Sequence, residues 1–142
     1  MSKSLNVGAA LLLVTAIIGV IVALQNIFAS PFDEQLLGAT FTQIRTFNPN
    51  VMDTMTLMGR FSGLYLLTTG LLGCFVIAIP FRKGEKWAWY ATLVTIGIGL
   101  FGQLAFIYFA GSLLASYYLP IAIVLVLLWA TGLAASAKES LK

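Results

Sequence analysis

Cys74 is the only thiol in this chain of 142 residues, and no histidine occurs anywhere in it. Histidine is the commonest general base, metal ligand and haem ligand. Without it, the many serine and threonine hydroxyls have no imidazole to activate them. One cysteine makes neither an intramolecular disulfide nor a cysteine zinc site. Cys74 is set in the middle of a long apolar run, where a thiol is packing rather than a nucleophile. The residues therefore point to no catalytic centre, no metal and no cofactor, and they weigh against an enzyme.

What remains is a small set of polar groups in or beside apolar runs. Gln25 and Asn26 close the first run, Arg60 opens the second, and Gln103 lies in the third. At about 1.5 Å of rise per residue, Gln25, Arg60 and Gln103 can share one layer. An amide in hydrocarbon must find a partner, so Gln25, Asn26 and Gln103 are expected to face inward. Arg60 would seek Asp53, Glu34 or a lipid phosphate. Such a layer has two main readings. It is interhelical glue, or it is a small polar pocket for a lipid, a quinone or another apolar ligand with a polar head. Contacts to a partner subunit are a third.

The elements that must position these groups follow from composition. The chain is 60% hydrophobic and 9% charged, against about 25% charged in soluble domains. A water-soluble globular domain is excluded. Uncharged runs of spanning length cover 7–28, 61–81, 87–109 and 113–135. They are apolar all round, without the alternation of barrel strands, and with no water in the hydrocarbon they must be helices. The fold class is all-α: a polytopic membrane four-helix bundle forming a single transmembrane domain. A cleaved signal peptide ending near Ala29 is a weaker reading, because the first run exceeds an ordinary signal core. Lys3, Arg82, Lys83, Lys86, Lys138 and Lys142 fall on one side of such a bundle, and Arg45 and Arg60 on the other. Basic residues prefer the cytoplasmic side, which gives an N-in, C-in orientation in the plasma membrane. The formal net charge of +3 therefore reflects topology, and no nucleic-acid partner is expected.

The loops are unequal. Arg82-Lys83-Gly84-Glu85-Lys86 is a tight inner turn, followed by Trp87, Trp89 and Tyr90 as an interfacial anchor. Arg82, Lys83 and Lys86 could hold an anionic lipid headgroup, or simply express the positive-inside bias. Tyr108, Phe109, Tyr117 and Tyr118 form the matching outer belt around a turn at Gly111-Ser112, and Pro120 is expected to kink the fourth span. The outer loop 29–60 is the one substantial segment outside the membrane. Ser30, Pro31 and Asp33 signal a short helix that Gly38 would end, and Thr40–Gln43 starts another. Asn48-Pro49 breaks that helix and starts a further one, which runs through Met52, Met55 and Met58 into the second span. The reading is a short amphipathic helical segment in the outer loop, with Phe32, Phe41, Ile44, Phe47, Met52 and Met55 as a candidate partner surface. Its alternative is plain packing over the bundle.

Small residues mark where helices meet. Thr15, Gly19 and Ala23 recur every four residues in the first span. Gly59 and Gly63 make a GxxxG pair, and Gly97, Gly99 and Gly102 thin the third span. These serve either packing within the chain or a dimer face. The segment Phe81-Arg82-Lys83-Gly84-Glu85-Lys86-Trp87-Ala88-Trp89-Tyr90, with the four-span layout, resembles the inner loop of small four-helix bacterial and archaeal membrane proteins, the DoxX-like proteins among them. That resemblance implies a quinone-associated membrane redox component as one function, with no catalytic residue to carry over. The residues themselves favour a non-enzymatic accessory or scaffold subunit, or a lipid-facing binding protein. Its partners would be the bilayer and other membrane subunits or a second copy. An oligomeric solute or ion pathway is the remaining alternative, although no carboxylate lies within a span.

Overall fold

The computed structural model describes the backbone of residues 3–29, 34–110 and 112–141, and their side chains apart from 35, 36, 106, 110 and 112–117. The described residues are helical throughout, joined by short turns, with no strand among them. Six helices follow in order: α1 Lys3–Phe28, α2 Glu34–Leu37, α3 Phe41–Phe47, α4 Pro49–Val76, α5 Lys86–Ala110 and α6 Ser112–Ser140. A π-helical turn, Ile77–Phe81, continues α4. Among the described residues, four segments are long and apolar enough to cross a membrane: Lys3–Phe28, Pro49–Phe81, Lys86–Phe109 and Tyr118–Ser140.

These helices overrun the apolar runs. The segment Pro49–Phe81 is 33 residues, or about 50 Å at helical rise, against a hydrocarbon core of about 30 Å. Hydropathy marks where hydrocarbon ends, whereas backbone hydrogen bonding continues into the polar layer. Pro80 accounts for the π turn. It has no N–H, and its ring crowds the carbonyl four residues back, so the helix widens there. The turn then closes through the N–H groups of Lys83 and Glu85, both donating to the Pro80 carbonyl at 3.1 Å. Gly84 takes the left-handed conformation, φ 78°, that ends a helix without a Cβ penalty. Pro120 lies inside α6. The Ser30–Asp33 helix signal, the Gly111 turn and the side chains of Phe32 and Tyr117 lie outside the described residues.

The chain divides into two compact units, one of Met1–Ile18 with Thr69–Lys142, the other of Gly19–Thr68. The first holds a continuous apolar core drawn from four segments. Leu5, Ala9, Leu12 and Ala16 come from α1, Ile77 and Phe81 from the π turn, Ala88 and Leu100 from α5, and Leu125, Trp129 and Leu133 from α6. Helices α1 and α6 approach closely, since a Cβ on Gly8 would lie 2.6 Å from the Gly132 carbonyl oxygen and 2.9 Å from Ser136 Cβ. Three buried hydroxyls in this unit bond within their own helices: Thr15 donates to Leu11 O, Thr92 to Ala88 O and Ser136 to Gly132 O, whereas the buried Ser140 hydroxyl has no partner among the described residues. Such back-bonding lets a hydroxyl be buried without a partner on another helix. Large side chains such as Phe61, Tyr65, Phe75, Ile98 and Phe101 are exposed along α4 and α5, as expected of helices that face lipid.

Candidate functional site

In the second unit, α3 is a separately built element. Thr40 caps it, accepting from the Gln43 N–H at 3.2 Å while Gln43 Oε1 accepts from the Thr40 N–H at 2.8 Å. This reciprocal box satisfies two donors at once. Glu34 accepts from the Phe41 N–H at 2.8 Å, so its carboxylate serves α3 and not Arg60, as the sequence had allowed. Gly38 (φ 64°) follows α2. At the other end, Asn48 works twice. Its N–H donates to Ile44 O at 2.9 Å and closes α3, while its Oδ1 accepts from the Asn50 N–H at 3.0 Å and caps α4. Pro49 then occupies the first position of α4, where a missing N–H costs nothing.

A shallow cleft of about 550 Å³ lies where α3 meets the start of α4, lined by Phe41, Thr42, Arg45, Thr46 and Met52. Of the expected partner surface, Phe41, Ile44, Met52 and Met55 are half-buried, while Phe47 is 88% exposed. Phe41 and Met52 thus meet at one feature, and Phe47 stands free at the end of the helix. Arg45 and Thr42 in this cleft were missed as site residues. Their signal was an isolated cation and hydroxyl one helical turn or less from the apolar face.

The polar layer is only partly as expected. Asn26 and Gln103 are half-buried, but Gln25 and Arg60 are exposed. Gln25 lies off the packed face of α1. The face of α1 that meets α4 carries Ala23, Asn26 and Ile27, since a Cβ on Gly63 would lie 3.0 Å from Ala23 O, 3.1 Å from Asn26 Cβ and 2.8 Å from Ile27 Cγ1. Gln25 is two residues from Ala23 and from Ile27, about 200° around the helix, and so points away. Gln25, Asn26 and Arg60 belong to the second unit and Gln103 to the first. Among the described residues Arg60 has no ion-pair partner. Asp53, like Arg60, is exposed.

In the first unit, Arg82, Lys83 and Lys86 are all exposed. The aromatic group beside them is more specialised than an interfacial anchor alone. Trp87 donates its indole N–H to Glu85 Oε2. Trp89 donates to the Leu133 carbonyl at 3.2 Å, joining α5 to α6, and stacks edge-on against Tyr90. Trp129 was not anticipated. It is 92% buried, with Phe101 edge-on at 5.8 Å, and Gly97 leaves the space its ring fills. Its indole N–H has no partner among the described residues. Cys74 packs beside the apolar core. Among the described residues no group of three Cys, Asp or Glu could hold a metal ion. No family model, curated protein or solved structure matches this chain.

Proposed function

We propose that this is a non-enzymatic integral membrane protein of the plasma membrane, with both termini cytoplasmic. It acts as an accessory or scaffold subunit through the segment between its first two spans. The distribution of Lys3, Arg82, Lys83, Lys86, Lys138 and Lys142 against Arg45 and Arg60 supports the orientation. On that orientation α2 and α3 form a short amphipathic element on the outer surface. The observation that carries the reading is Phe47, an aromatic side chain 88% exposed at the end of a doubly capped helix. It adjoins a cleft that sets Phe41 and Met52 beside Arg45. Exposed aromatics beside arginine are the composition of protein contact surfaces, and the caps hold this one in place without any help from lipid.

A photo-reactive residue in place of Phe47 tests it in native membranes. The expected product is a discrete heavier species in which a second polypeptide, another subunit or another copy, is attached. Crosslinking to lipid alone, with a lone chain recovered in mild detergent, overturns the reading.

A further inference from the structure

Five cations converge at one end of the first unit, and the geometry points to anionic phospholipid headgroups as what covers them. The turn at Gly84 lies against both chain ends. A Cβ there would be 3.7 Å from Leu5 Cδ2 and 3.9 Å from the Glu139 carbonyl oxygen. Lys3 is two residues from Leu5, and Lys138 adjoins Glu139. Both therefore belong to the segments that pack against the turn carrying Arg82, Lys83 and Lys86, and all five are exposed. Two carboxylates share this end. Glu85 is occupied by the Trp87 indole N–H and Glu139 is half-buried. Among the described residues, five cations against two carboxylates leave a formal +3 at this end.

Beneath this turn the chain is packed with buried side chains, Leu5, Phe81, Ala88, Leu133 and Ser136 among them, so the exposed cations lie over an apolar core. Trp87 and Tyr90, each about half exposed, flank the turn where α5 begins its apolar run. Aromatic rings at that position lie at headgroup depth. Lysine and arginine can lay their stems on apolar surface while the charged head reaches phosphate. Cations beside interfacial aromatics, at the end of apolar helices, match a phospholipid with surplus negative charge better than a soluble acidic macromolecule. The inference needs only that the helices cross a bilayer; it does not rest on the partner surface around Phe47.

The test is the full chain in phosphatidylcholine nanodiscs containing a minor fraction of phosphatidylglycerol, with retained lipids measured by native mass spectrometry. Phosphatidylglycerol should be retained above its bulk fraction. Lys83→Gln should lower that enrichment by about fivefold, and the triple change Arg82→Gln, Lys83→Gln, Lys86→Gln should abolish it. Lys83→Arg and Arg45→Gln should preserve it. Should the triple variant fail to fold, salt on the unmodified chain decides. Enrichment must fall between 0.1 and 1 M salt, as the screening length shrinks from about 10 to about 3 Å. No enrichment in the unmodified chain, enrichment that persists in 1 M salt, or co-purifying nucleic acid or acidic protein in place of lipid overturns the inference.

Discussion

Single glycines carry the helix contacts, and their surroundings separate those that matter from those that do not. A Cβ on Gly8 would collide with the Gly132 carbonyl oxygen at 2.6 Å, and one on Gly132 would press on the Leu12 side chain at 2.9 Å. Gly8→Ala should therefore destabilise the chain by about 1–3 kcal/mol, read as reversible unfolding in mixed micelles. Gly63→Val should do the same at the α1–α4 contact, where Ala23 O and Asn26 Cβ leave no room. Gly99 has nothing within 4 Å of its Cβ position, so Gly99→Ala should change stability by less than about 1 kcal/mol. The Gly59/Gly63 pair could be read from the sequence as a contact, and both residues are buried. The Gly8–Gly132 approach could not, because its halves lie far apart in sequence and the small-residue spacing around each, Ser4 to Gly8 and Gly132 to Ser136, does not say which helix it meets.

Elements with caps were the most legible, because a cap is local chemistry. Thr40-Phe41-Thr42-Gln43 announces a helix start, and a capping box makes it. Asn48-Pro49 announces a stop and a start, and one asparagine makes both. Thr40→Ala should cost α3 about 0.5–2 kcal/mol. The effect should appear as faster hydrogen exchange at the Gln43 amide, whose acceptor is removed, with the core helices unchanged. The π turn was not legible. Pro80 signals that the regular helix must yield, but not whether it ends, kinks or widens. The choice of a widened turn buries Phe81 fully and sets the direction in which the 82–86 loop leaves.

For the whole molecule, the prediction concerns sidedness. Cysteine placed at Lys3 should react with a membrane-impermeant thiol reagent only from the cytoplasmic side, and cysteine at Thr42 only from outside. The native Cys74, within the second span, should stay unlabelled in intact membranes and be replaced by alanine for clean readout. The opposite labelling pattern would reverse the orientation and place the Phe47 surface in the cytoplasm. The segment Pro49–Phe81 overruns the hydrocarbon thickness by about 20 Å. Positions near its start, such as Asp53, should accordingly label as exposed residues do.

By itself the sequence determined that four long apolar helices are present and that a short capped helix, α3, lies between the first two. Hydropathy, charge placement and capping are local properties that need no knowledge of neighbours. It could not determine which faces meet. A helix apolar on every side carries no asymmetry to distinguish a core face from a lipid face, as Gln25 illustrates. Only the tertiary structure decided that Gly97 yields to Trp129, that Gly8 meets Gly132, and that Gly84 rests against both ends of the chain. The physical reason is steric. In lipid, apolar helices have no hydrophobic drive toward one another, and their contacts are chosen by fit between residues far apart in sequence.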